Sequence, residues 1–223
     1  ANFQYFDACW NTADDLLVIL YTDTGDSNHL KIVQYPISNK ALGTASTVVD
    51  VVSAACNTGA PAIEWDENDN VYIVTYSLAA NEELMCGVWY NNSGTPAEKI
   101  AATRVTGDAS CYRFAMKWAD GGAGKDDVGL IVYEDSADSQ YQKCVAVTHN
   151  NSDTITYTGT PVEHFGADKA YDVHDRQSGP SISFDTSAPP AAGGFATGDD
   201  VFVVAAGGVD GDGDHFTYVV PVA

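Results

Sequence analysis

Apolar and polar positions follow a pattern that recurs four times along the chain. Each copy has a short apolar stretch closed by an aromatic residue, an acidic turn, and a run of branched and aromatic residues. The copies read FDACW-NTADD-LLVILY, AIEW-DENDN-VYIVTY, FAMKW-ADGGAGKDD-VGLIVY and SISF-DTSAPPAAGGFATGDD-VFVVAA. The closing aromatic residues, spaced by 55, 53 and 66 residues, are Trp10, Trp65, Trp118 and Phe184. A period of this size indicates a repeat architecture.

Each repeat predicts strands and needs no helix. In the second repeat, clusters of Asp, Asn, Gly and Ser separate four segments rich in β-branched and aromatic residues, at 62–65, 71–76, 83–90 and 98–106. The second segment is apolar at nearly every position, so both of its faces are expected to be buried. Four antiparallel strands around such an inner strand are the pattern of a propeller blade. The chain is therefore predicted to be all-β, as a four-bladed β-propeller or an arc of a larger propeller.

The repeats resemble β-propeller blades over nearly the whole chain, which is read as one domain, 1–223, with repeats at about 1–55, 56–110, 111–170 and 171–223. More narrowly, SISFD and DDVFVVAAGGVDGDGDHFTYVV, preceded by TPVEHFGADKAYDVHDRQSGP, resemble tandem blades of environmental phage virion proteins and bacterial surface proteins. The chain lacks the Gly-His and Trp-Asp signature of WD40 blades and the Asp-box of sialidases. The resemblance implies a scaffold, and a fold does not by itself imply a function.

Charge and composition exclude two classes of partner. The 31 acidic and 10 basic side chains give a formal net charge of −21, which repels nucleic acid and anionic membrane surfaces. No apolar run approaches the roughly 18 residues of a membrane span, so membrane insertion is not expected. The sequence begins at Ala1 without methionine, as a secreted protein does after processing and as a fragment cut from a longer chain also would.

The cysteines follow the repeats. Cys56 and Cys111 enter the first strands of repeats two and three, and Cys86 and Cys144 lie near the start of the third strands. Both places lie at one end of a blade, so disulfides Cys56–Cys86 and Cys111–Cys144 are predicted, each contributing about 3 kcal/mol. Four buried thiols are the alternative. Cys9 is expected to be unpaired beside Trp10 or bonded to another chain.

Two disulfides would indicate an oxidising compartment, and hence an extracellular, cell-surface or virion location. Asn91 and Asn150 begin NNS sequons in matching turns of repeats two and three. They are glycosylation acceptors if the source glycosylates secreted proteins, or simply the asparagines that a tight hairpin turn favours.

Ion chemistry is confined to one acidic loop. In DGDGD, carboxylates alternate with glycines. Asp210, Asp212 and Asp214 are therefore candidate ligands of a calcium ion. A solvated hairpin tip is the alternative reading. The five histidines show neither HxH nor HExxH spacing, and each is expected to be a loop or surface residue rather than a zinc ligand.

Catalytic motifs are absent from the sequence, and the chain is predicted not to be an enzyme. A propeller glycoside hydrolase would use carboxylates on first strands, where the chain offers Asp7 and Glu64, but these are not repeated. The predicted function is assembly or adhesion on an extracellular or virion surface. A glycan-binding module is an alternative, with Trp89, Tyr90 and Tyr141 as stacking candidates.

The last repeat favours assembly. It has three predicted strands, at 181–184, 201–205 and 215–222, whereas a fourth strand follows in the other repeats. A three-stranded blade exposes an unpaired edge, and natural proteins seldom leave one uncovered. The alternating Phe216, Tyr218 and Val220 would offer an incoming strand a packing face, with pairing fading at Pro221. The expected partner is another copy or a larger extracellular assembly.

Overall fold

The computed structural model describes residues 2–56, 61–106, 111–119, 128–135, 141–150, 154–163, 181–185, 201–209 and 215–222. These residues form sixteen β-strands and one short 3-10 turn, Thr24–Asp26, with no α-helix among them. The predicted all-β class is therefore confirmed. Within the described part of the chain, no helix is long and apolar enough to cross a membrane.

Consecutive strands pair in antiparallel sheets. The first sheet has the order β1 (Phe3–Asn11), β2 (Leu16–Asp23), β3 (His29–Ser38) and β5 (Val49–Ala55), with the two-residue β4 (Ala41–Leu42) pairing with the end of β3. The second sheet has the order β6 (Ala62–Asp66), β7 (Val71–Ser77), β8 (Leu84–Asn92) and β9 (Thr95–Arg104). These four strands agree with the segments predicted for the second repeat to within a few residues.

The third sheet repeats this order with β10 (Cys111–Ala119), β11 (Val128–Asp135), β12 (Tyr141–His149) and β13 (Ile155–Glu163). The fourth sheet has three strands, β14 (Ser181–Asp185), β15 (Val201–Val209) and β16 (His215–Val222). On one side β16 pairs with β15, and no other strand that the structure describes pairs with it.

The acidic turns after the first strands have a local physical cause. The side chains of Asn11 and Asp66 accept hydrogen bonds from the backbone N–H groups of Asp14 and Asp69, at 3.0 and 3.2 Å. Side chains of this kind stabilise a turn by standing in for a backbone acceptor, and Asp and Asn also tolerate the left-handed conformation. Asn70 takes that conformation, with φ 54°. In the first two repeats, the polar residue that follows the closing tryptophan therefore stabilises the turn.

Among the described side chains, the core lies between the sheets in two hydrophobic clusters. One fills the space between the first and second sheets and includes Val18, Leu20, Tyr72 and Trp89. The other fills the space between the second and third sheets. All seven residues of β7 are buried, as predicted for the second strand, because alternate side chains enter different clusters.

Neighbouring sheets meet through their first strands. Contacts run from β1 to β6, from β6 to β10, and from β10 to β14. The sheets are not closed into a propeller. We call the face that each sheet turns toward the following sheet its front face, and the opposite face its back face.

The predicted disulfides are not formed. None of the five cysteines, all within the described residues, is joined to another by a disulfide. Cys56 lies in the cluster between the first and second sheets, and Cys86 lies in the cluster between the second and third. Their side chains are therefore on opposite faces of the second sheet. The prediction placed both residues at one end of a blade but did not consider the face.

The same error affects the other pair. Cys111 belongs to the cluster between the second and third sheets, as does Val145. Because neighbouring side chains of a strand point to opposite faces, Cys144 lies on the other face of the third sheet. The cysteines therefore give no argument for an oxidising compartment.

Candidate functional site

The carboxylates nominated for hydrolysis join the first strands of successive sheets. One Asp7 carboxylate oxygen accepts a hydrogen bond from the backbone N–H of Ile63, at 2.9 Å. Glu64 forms an ion pair with Lys117, with 2.7 Å between Oε2 and Nζ. Each link crosses from one sheet to the next. Glycoside hydrolysis requires two carboxyl groups that face each other across a cleft. Here both carboxylates are instead engaged in contacts between sheets.

A buried polar network joins the first and second sheets. The hydroxyl oxygen of Tyr72 accepts hydrogen bonds from Nδ2 of Asn11, at 2.9 Å, and from Nε2 of Gln34, at 3.1 Å. All three residues are buried. At the rim of the same junction, Nδ2 of Asn91 donates to Oδ2 of Asp14 at 2.8 Å. The phenol oxygen of Tyr72 is therefore an acceptor shared by the NH2 groups of two buried amides.

We expect Tyr72→Phe to lower the free energy of unfolding by about 1–3 kcal/mol, since it removes the acceptor of the buried Gln34 amide and leaves the Asn11 amide with only its 3.4 Å bond to Asp14. Urea unfolding followed by tryptophan fluorescence measures this change. Tyr76→Phe is the matched control, because it removes a hydroxyl from the same strand without touching either amide. Equal losses in the two variants would contradict a specific role for the Tyr72 hydroxyl.

A different buried group joins the second and third sheets. Nε2 of His149 lies 2.8 Å from Oδ2 of Asp66, and the two side chains are 2% and 0% exposed. The other ring nitrogen, Nδ1, lies 3.7 Å from Oδ2 of Asp69. The indole of Trp118 stacks on the imidazole, with ring centroids 5.2 Å apart. His149 is therefore held between two carboxylates and an aromatic ring, in contrast to the surface position expected from the sequence.

Asp66, Asp69 and His149 could also hold a metal ion, because one ligand atom of each lies within 4.8 Å of the others. Each ring nitrogen of His149 faces a different carboxylate, however, so the group is satisfied by its own protein partners. We therefore interpret this buried group as a clamp between two sheets, and we call it the Asp66–His149 clamp.

The second group with metal-ligand geometry lies on the first sheet and consists of Asp26, His29 and Asp50. Lys31 already occupies it, with Nζ 2.6 Å from Oδ2 of Asp26 and 3.6 Å from Oδ1 of Asp50. The hydrogen bond from Lys31 lowers the pKa of Asp26, and the same bond raises the pKa of Lys31. The ammonium thus supplies the positive charge that a bound cation would otherwise bring.

Two of the predicted sugar-stacking residues pack against the hydrophobic clusters between the sheets. Trp89 is 3% exposed and belongs to the cluster between the first and second sheets. Tyr90 packs against the other cluster, and the side chain of Tyr141 lies outside the described part of the structure. Trp89 therefore offers no exposed ring face on which a sugar could stack, and stacking on Tyr90 or Tyr141 stays a prediction.

Among the side chains that the structure describes, exposed aromatic residues are concentrated on the back face of the first sheet. Phe6 and Phe114 occupy the same position of their repeats, since they pair with Tyr21 and Tyr133. Phe114 is 6% exposed because the second sheet covers it, whereas Phe6 is 69% exposed. A surface that the repeat normally buries is therefore open to solvent here.

The neighbouring position shows the same contrast. Trp10 and Trp118 are equivalent closing aromatics, since they pair with Leu17 and Gly129. Trp118 is 5% exposed and Trp10 is 43% exposed. Exposed apolar surface that is contiguous marks an interaction site in many soluble proteins. The back face of the first sheet is the candidate functional site.

Two other sets of predicted site residues are not tested by the structure and stay predictions. The calcium candidates Asp210, Asp212 and Asp214 lie outside the described residues. The side chains of the assembly-edge residues Phe216, Tyr218 and Val220 are likewise outside them, although their backbone pairs with β15.

The sequon asparagines both act as turn residues. Oδ1 of Asn91 accepts from the N–H of Gly94, and Oδ1 of Asn150 accepts from the N–H of Thr154, at 2.9 and 3.0 Å. Nδ2 of Asn91, the atom that a glycan would modify, donates to Asp14. Glycosylation at either asparagine remains a prediction.

Sequence reasoning missed both the clamp and the open face. Asp66 follows Trp65 just as Asn11 follows Trp10, so a repeated polar position after the closing aromatic was visible in the sequence. Nothing in the sequence marks His149 as its partner, because the two residues are brought together by the packing of separate sheets.

No family model, curated protein or solved structure matches the chain.

Proposed function

We propose that the chain is a β-propeller repeat scaffold, of four blades or an arc of a larger ring, that acts in assembly or adhesion without catalysis. The observation that carries this proposal is the open back face of the first sheet, where Phe6 is 69% exposed while its equivalent, Phe114, is 6% exposed. Burying such aromatic side chains in an interface is a main source of association free energy. The extracellular or virion setting rests on the resemblance of the fourth repeat to phage virion and bacterial surface blades.

The polar groups of the described sheets support a scaffold rather than an enzyme. Asp7, Glu64 and Asp66 are all engaged in contacts that cross between sheets. The buried thiols of Cys56 and Cys86 are poor nucleophiles, because burial raises the pKa of each to about 12. These groups stabilise the stacking of repeats and leave association as the activity that the exposed surface favours.

The test is the concentration dependence of the mass in solution, measured by sedimentation velocity. We expect the chain to associate, and we expect Phe6→Lys to weaken that association because it places a charge in the proposed interface. Tyr157→Lys is the matched control, since Tyr157 is 44% exposed but lies on β13 of the third sheet. A chain that remains monomeric at all concentrations, in all three forms, would contradict the proposal.

A further inference from the structure

The back face of the first sheet has a defined counterpart within the molecule. On the third sheet, the equivalent face presents Phe114, Met116 and Trp118, which share a cluster with Ile73 and Val88 on the front face of the second sheet. The back face of the second sheet likewise packs on the front face of the first. Back faces of this repeat are therefore covered by front faces in both junctions whose side chains the structure describes.

The fourth sheet carries the backbone positions that form such a front face. Val71 and Ile73 pair with Asp66 and Glu64, and both belong to the front face of the second sheet. At the corresponding register positions, Val201 pairs with Asp185 and Val203 pairs with Ser183. The fourth sheet thus has apolar residues at the positions that the second sheet uses to cover its neighbour.

From this match we propose that the open back face of the first sheet is the binding site for the fourth sheet of a second copy of this chain. The sheets of one chain are not closed on each other, so the fourth sheet of another copy is the occupant that this repeat geometry supplies. The contact joins two different surfaces and is heterologous, so it generates a ring if the rotation closes and a filament if it does not. This inference rests on the proposed function and names the partner of the same face.

A specific pair of positions tests the register of this contact. Between the first two sheets, Asp7 accepts a hydrogen bond from the N–H of Ile63. Ser181 occupies the same position in its sheet as Asp7, because Ser181 pairs with Ala205 as Asp7 pairs with Leu20. Ala8 likewise occupies the position of Ile63, because Ala8 pairs with Ile19 as Ile63 pairs with Val74. The proposed contact therefore places Ser181 of one copy beside Ala8 of the next.

The experiment uses the full chain with Cys9→Ser, which removes the one thiol among the five that is only partly buried. Ala8→Cys and Ser181→Cys are made separately, given tags of different size, mixed, and treated with a short bis-maleimide crosslinker. We expect a covalent dimer carrying both tags from the mixture and no dimer from either variant alone. Adding Phe6→Lys to the Ala8→Cys chain should reduce the dimer yield about tenfold or more, whereas Tyr157→Lys should not.

Three outcomes would overturn the inference. If the double variant Ala8→Cys/Ser181→Cys crosslinks within one chain at every dilution, the chain's own fourth sheet covers the face. If Phe6→Lys disrupts association but the mixture yields no mixed dimer, the face binds a different surface, and the proposed function stands without this partner. If the chain is monomeric and Phe6→Lys changes nothing, the proposed function and the inference both fail.

Discussion

Asp66→Ala is expected to lower the free energy of unfolding by about 1–3 kcal/mol for each buried group that it leaves without a hydrogen-bond partner. The substitution removes the carboxylate that lies 2.8 Å from Nε2 of His149, whose side chain is 2% exposed. It also removes the acceptor for the N–H of Asp69 in the turn after the first strand. Urea unfolding should report the loss through the fluorescence of Trp118, which stacks on the imidazole.

Two variants separate charge from hydrogen bonding in the clamp. Asp66→Asn keeps an acceptor for Asp69, as the asparagine at the equivalent position Asn11 does for Asp14, and should cost less than alanine. Glu67→Ala removes an exposed carboxylate from the same turn and should change stability by no more than about 0.5 kcal/mol. Equal effects of Asp66→Ala and Glu67→Ala would show that the clamp contributes nothing to the junction.

Much of the fold could be predicted because each repeat encodes its own sheet. Strand lengths, the doubly buried second strand and the acidic turns all follow from local rules on side-chain period and turn chemistry. In the second repeat the residues 71–76, predicted as a strand buried on both faces, lie within β7, which is buried at all seven positions. Such features depend on neighbours in sequence, which a single chain reveals directly.

The contacts between sheets could not be predicted in the same way. The error over the disulfides shows why, since Cys56 and Cys86 were placed at the correct end of the second sheet but belong to opposite faces. A shift of one residue along a strand reverses the face, so spacing within a repeat constrains a pairing only when the strand register is known. The partnership of Asp66 with His149 depends on the packing of separate repeats and escaped for the same reason.

Alkaline pH is expected to destabilise the fold steeply, because buried thiols must remain protonated in it. Burial raises the pKa of Cys56 and of Cys86 from 9.0 to about 12, and it also raises the pKa of Tyr72 and Tyr76. In the unfolded chain these thiols ionise near pH 9, whereas in the folded chain they hold their protons to about pH 12. The folded state therefore binds more protons than the unfolded state in this range.

The sign and size of the effect follow from proton linkage. The contribution of each thiol is fully present below pH 9 and is lost as pH rises toward 12, at about 1.4 kcal/mol per pH unit. Urea midpoints measured from pH 7 to 11 should stay level to about pH 9 and then fall. Cys86→Ala removes one titrating group from the junction between the second and third sheets and should make the alkaline slope shallower by about 1.4 kcal/mol per pH unit.

A stability that is constant from pH 8 to 11, or a slope unchanged by Cys86→Ala, would show that these thiols are accessible to water in the folded chain. The junctions between the sheets would then be looser than their packing indicates.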